Sequence, residues 1–240
     1  AVFLSDSTDN DNDVLTDLEE ILFGSDPELW DTDQDGYYDG QEVVNLYNPQ
    51  GFAPSRLVDS ASAREYINPV FGYRVYYPST WEVGEIDTLT AEHVLLSSIS
   101  GDFIEVRAFS RTSFEGFESW FARMVADQAY SDLAPFTNRF NVAGFRRLDN
   151  LVAYVPADDT VFVLIYQPGA RAKSVPFRHV FQMVYQSFRP RNNTALLPEQ
   201  ILLPGLEAAR LFPGPAFEES GDGTVTPNTG TDTALQNSDS

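Results

Sequence analysis

Two copies of one carboxylate pattern lie in the first 45 residues, and they constrain the chain more than any other feature. In each copy, acidic side chains occupy positions 1, 3, 5, 9 and 12 of a twelve-residue stretch, which is the spacing of a calcium-binding loop. Position 7 of such a loop contributes its backbone carbonyl. The predicted ligands are Asp9, Asp11, Asp13, Leu15, Asp17 and Glu20 in loop 1, and Asp31, Asp33, Asp35, Tyr37, Asp39 and Glu42 in loop 2. The sequence therefore predicts about two bound Ca²⁺ ions, one in each loop.

The two loops differ at position 6, where the chain has to turn sharply. A positive φ angle favours glycine at this position. Loop 2 has Gly36 there, whereas loop 1 has Val14. Because a β-branched residue resists positive φ, we expect loop 1 to be distorted or to bind calcium more weakly than loop 2.

An acidic run is more often a solvated or disordered segment than a metal site. Two features oppose that interpretation here. The carboxylates of loop 2 repeat those of loop 1 in the same register, 22 residues later, and apolar residues stand between them: Leu18, Ile21, Leu22 and Trp30. A disordered segment has no reason to keep either feature, so the pattern favours paired calcium loops.

The short interval between the loops excludes a helix-loop-helix hand. Only ten residues separate Glu20 from Asp31. That length is too short for an exit helix, a linker and an entry helix at about 1.5 Å per residue. A short helix from Thr16 to Phe23 fits, with Leu18, Ile21 and Leu22 on one face and Gly24 at its end.

Residues 9–48, with their Gly24-Ser25-Asp26-Pro27 connector, resemble the bacterial form of the thrombospondin type 3 calcium-binding repeat. The resemblance implies a compact, helix-poor module whose order depends on calcium. A dockerin-like calcium pair, which docks onto a partner domain, has a similar repeat length and is the alternative.

The charge distribution restricts the partners that the chain can bind. The net charge is −21, and residues 1–45 hold 14 acidic side chains without any Lys or Arg. Residues 60–190 are nearly balanced, with 14 acidic and 12 basic side chains. Lys173 is the single lysine and no basic stripe is present, so we expect no nucleic-acid partner. The absence of cysteine excludes disulfides and cysteine-based zinc sites.

Composition divides the chain into five segments. We predict a tandem calcium-binding module at 1–49, a linker at 50–64, an α+β domain at 65–190, a Leu/Pro-rich strap at 191–215 and a disordered polar tail at 216–240. The strap is expected to pack as an extended segment or to form a short helix at 206–211. Calcium removal is expected to loosen residues 1–50 and to leave the second domain folded.

The pattern within 65–190 predicts an antiparallel sheet covered by helices, which is an α+β fold, because strands and helices do not alternate as in a parallel sheet. Strands are predicted at 73–77, 81–85, 93–98, 103–109, 151–155 and 160–166. One helix follows a capping box from Thr112 to Glu115 and is expected to bury Phe114, Phe117, Phe121, Met124 and Val125. A final helix over 176–188 is expected to bury Phe177, Val180, Phe181, Val184 and Phe188, with His179 off its apolar face.

Two aromatic-rich stretches stand at the ends of this segment. The first is Tyr66-Ile67-Asn68-Pro69 followed by the run from Phe71 to Pro78 with Trp81, and the second is the closing run from Phe181 to Phe188. They resemble the opening and the last helix of PsbP-like domains. It implies an α/β/α sandwich that serves as a binding or assembly module without a shared catalytic apparatus.

The motifs indicate a non-enzymatic calcium-binding protein. The sequence has no nucleophile elbow, phosphate loop or zinc-protease motif, and His93 and His179 are isolated. Calcium loops of this kind are typical of locations where calcium is abundant, so we expect a secreted or cell-surface protein that contacts another protein or copies of itself. No apolar run reaches the roughly 18–20 residues of a membrane span, and Ala1-Val2-Phe3-Leu4 is interpreted as the remnant beside a removed signal or anchor. The alternatives are a calcium-dependent subunit of an extracellular assembly or filament, and a hydrolase that uses His93 or His179.

Overall fold

A seven-stranded antiparallel sheet forms the centre of the protein. The computed structural model describes residues 5–86, 89–112, 114–170 and 172–200. The strands are β1 (Ala63–Ile67), β2 (Arg74–Pro78), β3 (Glu82–Glu85), β4 (His93–Ser97), β5 (Phe103–Ser110), β6 (Leu133–Thr137), β7 (Ala143–Arg147), β8 (Val152–Ala157) and β9 (Thr160–Gln167). Strands β3 to β9 lie in the order β3-β4-β5-β9-β8-β7-β6, and β1 and β2 form a separate two-stranded ribbon. All these pairs are antiparallel.

Four α-helices accompany the strands in the described residues: α1 (Asp17–Phe23), α2 (Asp39–Val44), α3 (Phe117–Met124) and α4 (Arg178–Ser187). Helices α3 and α4 cover opposite faces of the sheet, which the alternation along β9 makes clear. Phe162, Leu164 and Tyr166 join the core that contains α4. Val161 and Val163 join the core that contains α3, and Ile165 packs against it. The predicted α+β fold with an antiparallel sheet covered by helices is confirmed at this level.

The N-terminal segment shares its hydrophobic core with α4 and the sheet. Leu15, Phe23, Val43 and Leu46 are buried in the same cluster as the apolar face of α4. Helix α2 packs directly against α4. The acidic loops therefore rest on the domain that follows them.

Residues 50–64, predicted as a linker, pack onto both neighbours. Leu57 is fully buried in the shared core, within a short 3-10 turn at Leu57–Asp59. Its N–H donates to the carbonyl of Leu46 at 2.9 Å. The Ala53 N–H donates to Asp35 Oδ2 at 2.6 Å, whereas the Phe52 side chain is exposed. The composition, rich in Gly, Pro, Ala and Ser, indicated a linker, and the buried side chains of Leu57 and Ala63, with backbone hydrogen bonds, hold this segment in place.

Helix α1 forms where the sequence predicts it, but the face that it buries is not its apolar face. Thr16 caps it with a capping box to Glu19, and Gly24 ends it in the left-handed region with φ 83°. Of the apolar residues predicted to share one face, Leu18 is 49% exposed and Ile21 is 68% exposed, and Leu22 packs against the shared core. Glu19, Glu20 and Phe23 are buried instead. Apolar spacing does not indicate this face, because Glu19 has hydrogen-bond partners inside the protein and Glu20 lies beside the loop 1 triad.

The capping box predicted at Thr112 does not start α3. The helix begins at Phe117 after Gly116, and Glu115 instead accepts hydrogen bonds from Arg123 Nε and Nη2 at 3.0 and 2.8 Å. Phe114, expected in the core, is fully exposed, and Met124, also expected there, is 43% exposed. The guanidinium of Arg123 provides a charged partner that removes Glu115 from the capping role.

Strands β1, β6 and β7 were not predicted. Strand β6 is the last strand of the sheet and contains Pro135, a residue that sheets tolerate at an edge. Strand β7 begins with Ala143 and Gly144 and ends with two arginines, so its composition is unlike that of a buried strand. Strand β6 pairs with β7, and β7 pairs with β8, and the sequence pattern does not reveal these pairings.

The first ten residues of the predicted strap, 191–200, lie against the domain. Asn193 Nδ2 donates to the carbonyl of Phe140 at 2.9 Å, and Ala195 and Leu197 pack against the shared core. Residues 201–215, with the alternative helix at 206–211, the tail at 216–240 and residues 1–4 all lie outside the described residues. Within the described residues, no helix has the length and apolarity needed to cross a membrane.

Candidate metal centre

Each acidic loop brings its first three carboxylates together. In each triad, one oxygen from every carboxylate lies within 4.8 Å of the others: Asp9, Asp11 and Asp13 in loop 1, and Asp31, Asp33 and Asp35 in loop 2. Calcium takes six to eight oxygen ligands, and three closely spaced carboxylates can supply half of such a shell.

Backbone hydrogen bonds hold the two triads in the same way. At position 1, the carboxylate accepts from the N–H of position 6, from Val14 to Asp9 at 3.2 Å and from Gly36 to Asp31 at 2.9 Å. The position 5 carboxylates, Asp13 and Asp35, likewise accept from the N–H of position 7 at 2.8 and 3.0 Å. The loops therefore share one backbone arrangement, built by residues close in sequence.

Loop 1 adopts the glycine conformation despite Val14. Val14 has φ 95°, and its counterpart Gly36 has φ 97°. Position 4 is matched as well, with φ 61° at Asn12 and 63° at Gln34. The turn is thus not distorted into another form, and Val14 stores strain that Gly36 does not. The weaker affinity of loop 1 stays a prediction.

Replacing Val14 by glycine should relieve this strain. A non-glycine residue at positive φ costs about 1–3 kcal/mol, and glycine loses part of that gain to its greater backbone freedom in the unfolded chain. We expect Val14→Gly to raise the calcium affinity of loop 1 by roughly fivefold, which is about 1 kcal/mol. Calorimetry measures the change, and the matched Gly36→Val should weaken loop 2. An unchanged or lower affinity of Val14→Gly would contradict the strain.

The position 9 carboxylates are not part of the triads. Asp17 accepts from the N–H and Nδ2 of Asn10 at 3.0 and 3.1 Å. Asp39 accepts from the N–H and Oγ1 of Thr32 at 3.0 and 2.6 Å. Each carboxylate thus braces position 2 of its own loop, and a position 9 residue commonly reaches calcium through a water molecule.

The position 12 glutamates are buried beside the triads with oxygens that lack partners. Glu20 is 0% exposed, and neither of its carboxylate oxygens has a hydrogen-bond partner among the described residues. Glu42 is buried too, and its Oε2 has no such partner in the described part of the chain. Burying a carboxylate without a partner costs free energy, and a cation coordinated by these oxygens would offset that cost. A bidentate glutamate at position 12 is the ligand that a calcium loop needs there.

The electrostatics of the two loops favour a cation. Burial, with repulsion from neighbouring carboxylates, raises the pKa values to about 6 for Asp11 and Asp33, about 7 for Asp39, about 8 for Asp13 and about 9 for Glu20 and Glu42. Burial also raises the pKa of Asp9. The charges of Asp11 and Asp13 act on Glu20, and those of Asp35 and Asp33 act on Glu42. A divalent ion would offset the repulsion within each set, and the residues present fit calcium.

These raised pKa values predict how stability depends on pH. The unfolded carboxyls release their protons first, near 3.8 and 4.5, while the folded ones hold theirs to higher pH. The folded state therefore binds more protons, and in a chelator its stability should fall as pH rises from about 5 to about 9. Calcium binding releases those protons, so affinity should rise over the same window. Thermal melting and calorimetry across the window measure both trends, and flat profiles would contradict them.

The two loops are joined to each other. The Gly40 N–H donates to Asp13 Oδ2 at 2.6 Å, which links the start of α2 to the triad of loop 1. A Cβ at position 40 would collide with the backbone of Asp13, so glycine permits this approach. Asp35 makes the equivalent bond with Ala53, described above. Each position 5 carboxylate thus accepts a backbone N–H from a later part of the chain.

Glu19 connects loop 1 to the sheet domain. Its Oε1 accepts from the backbone N–H of His179 and Val180 at 2.7 and 2.9 Å, at the start of α4. Its Oε2 lies 2.8 Å from His179 Nδ1. Burial lowers the pKa of His179, but the charge and hydrogen bond of Glu19 outweigh burial and raise the pKa above its ordinary value. His179 was predicted off the apolar face of this helix, and it is nevertheless buried, because Glu19 provides it with a buried partner.

Each histidine is paired with a carboxylate. His93 Nε2, on β4, lies 3.3 Å from Glu105 Oε2 on β5, and Glu105 also pairs with Arg107. His179 pairs with Glu19 across the contact between α1 and α4. These two contacts lie on separate elements, so the two histidines do not belong to one site.

The fold and the two acidic triads define the chain as an α+β protein with a candidate divalent-cation centre. No protein-family model matches the chain, and neither does any curated protein. Its fold is similar in part to a crystal structure from Bacteroides thetaiotaomicron VPI-5482, with 9% sequence identity and a TM-score of 0.34. The similar region covers 55% of this chain and 50% of that chain, so the chain spans about half the length of that structure.

Proposed function

We propose that the chain is a calcium-binding, non-enzymatic protein in which two ions order loops 1 and 2 on a PsbP-like interaction domain. The observation that carries the proposal is Glu20, a fully buried carboxylate without a hydrogen-bond partner in the described residues, beside the loop 1 triad. Calcium in both loops would give the position 12 glutamates the partner that the protein does not provide. A secreted or cell-surface location accords with this role, because calcium is abundant there.

The PsbP-like assignment is supported by the order of the elements. The aromatic run from Phe71 to Pro78 leads into β2, and the closing run from Phe181 to Phe188 lies in α4 and its C-cap. A sheet between two helix layers suits the α/β/α sandwich of that family. The domain would then serve to bind or assemble, with calcium holding the loops in place on its α4 side.

Calorimetry on the intact chain tests the calcium proposal. Two sites are expected in the unmodified protein, and the double variant Asp31→Ala with Asp35→Ala should lose the tighter one. The matched variant Asp9→Ala with Asp13→Ala should lose the weaker one. Absence of any heat at millimolar calcium would overturn the proposal, and the repeats would then be acidic spacers.

A calcium-dependent subunit of an extracellular assembly is the second candidate, favoured by α1. Leu18 and Ile21 are three residues apart, so they share one helix face, and both are exposed. Exposed apolar side chains on an ordered helix suit contact with a second protein or another copy of this chain. Sedimentation with and without calcium tests this candidate. Calcium-dependent association that Leu18→Ser with Ile21→Ser abolishes would support it, and a monomer at all calcium concentrations would remove it.

A further inference from the structure

The side chain of Gln200 reaches the loop 2 site from the far end of the chain. Gln200 Nε2 donates to Glu42 Oε1 at 2.9 Å, although the two residues are 158 positions apart. Glu42 is the position 12 ligand predicted for loop 2. The amide of Gln200 is therefore a direct hydrogen-bond donor to the carboxylate proposed as the bidentate ligand of loop 2.

The segment before Gln200 is held against the domain, so this contact is not that of an isolated side chain. Leu197 packs against the shared core, and the hydroxyl of Tyr47 donates to the carbonyl of Pro198. Tyr47 is buried and follows α2 by three residues. Together with the Asn193 bond to Phe140, these contacts lead the segment to loop 2.

The remaining polar atoms at this contact are buried and have no partner. Gln200 Oε1 and Glu42 Oε2 both lack a hydrogen-bond partner within residues 5–200 as described. A carboxylate oxygen and an amide oxygen are both ligand types that calcium accepts. The contact thus places two such oxygens, without partners, at the edge of an acidic triad.

We propose that Gln200 is a positioning residue of the loop 2 calcium site, and that calcium in loop 2 in turn fastens the C-terminal segment to the N-terminal loops. The inference rests on the proposed calcium function. Hydrogen bonds to a ligating carboxylate fix its orientation, and losing one typically costs about 10- to 100-fold in metal affinity. Linked equilibria are reciprocal, so if the Gln200 contact raises the calcium affinity of loop 2, bound calcium stabilises that contact by the same free energy.

Calorimetry with each loop isolated tests the positioning role. In chains that carry Asp9→Ala and Asp13→Ala, loop 2 is the remaining loop, and Gln200→Leu should weaken its affinity about tenfold. In chains that carry Asp31→Ala and Asp35→Ala, Gln200→Leu should leave the affinity of loop 1 unchanged. Glu199→Ala, an exposed neighbour, is the matched control and should alter neither loop. A loop 2 affinity within about twofold of its reference in Gln200→Leu would overturn the inference.

A fluorescent probe at residue 199 tests the reciprocal effect. The chain has no cysteine, so Glu199→Cys takes a single label. Calcium should shift the emission of this probe when loop 2 is intact, and the shift should disappear with Asp31→Ala plus Asp35→Ala and with Gln200→Leu. A shift that persists in Gln200→Leu would contradict the fastening. If the unmodified chain binds no calcium, the proposed function itself is wrong. If it binds two ions and Gln200→Leu leaves the loop 2 affinity unchanged, only the role of Gln200 is wrong.

Discussion

Replacing Glu19 by alanine should lower the free energy of unfolding by about 3–5 kcal/mol, the cost of breaking a buried ion pair by removing one partner. The carboxylate is fully buried and accepts hydrogen bonds from two backbone N–H groups at the start of α4. It also accepts from the Thr16 N–H at 3.0 Å. Alanine would leave these donors and His179 without their partner, in a place that water does not reach.

Two further variants separate the contact from a general loss of charge in the acidic segment. Glu19→Gln keeps the shape and one acceptor oxygen, so it should destabilise the protein less than alanine does. Glu28→Ala removes an exposed carboxylate from the same segment and should change stability by about 0.5 kcal/mol or less. Chemical unfolding of each variant in calcium supplies the comparison. A loss in Glu19→Ala no larger than that in Glu28→Ala would show that α1 is not fastened to α4.

Removing calcium should destabilise the sheet and its helices as well as the two loops. A ligand that binds only the folded state stabilises it by about 2.7 kcal/mol at 100 times its dissociation constant, so two such sites contribute about 5 kcal/mol. Leu15 and Val43 belong to the core that also contains α4, which links the loops to the sheet. We therefore expect a chelator to lower the midpoint of a single thermal transition.

This expectation departs from the independent module that the sequence indicates. The double variant Asp31→Ala with Asp35→Ala is the matched control. A chelator should lower its midpoint by less than that of the unmodified chain, because only the loop 1 ion is left to remove. Thermal unfolding followed both by tryptophan fluorescence and by circular dichroism of the sheet measures the effect. If the sheet melts at the same temperature with and without chelator, while residues 5–49 alone become sensitive to protease, the coupling through the shared core is wrong.

The parts of the site that the sequence predicted are those formed by residues close together in the chain. Asp31, Asp33 and Asp35 meet because a tight loop with short-range hydrogen bonds brings alternate side chains inward, and the spacing alone indicates this. The apolar stripe of α4 was visible for a similar reason, since Val180 and Val184 recur at helical spacing and are fully buried.

The contacts that the sequence did not indicate join residues distant in the chain. Glu19 meets His179, 160 residues away, and Gln200 meets Glu42, 158 residues away. Neither pair follows a local period, and Glu19, in the first turn of α1, also completes the capping box of that helix. The face that α1 buries was hidden for the same reason, because apolar spacing does not show that Glu19 has a partner in α4. Strands β6 and β7 were missed for a different reason: they pair locally as a hairpin, but their composition alone does not predict strands.

Native mass spectrometry of the intact chain in calcium tests the central claim most directly, because it counts the ions bound to each molecule. Two bound Ca²⁺ ions are expected, with one remaining after Asp31→Ala plus Asp35→Ala and one remaining after Asp9→Ala plus Asp13→Ala. A chain that carries no calcium under conditions that keep it folded would contradict the claim, and the buried carboxylates Glu20 and Glu42 would then need another explanation.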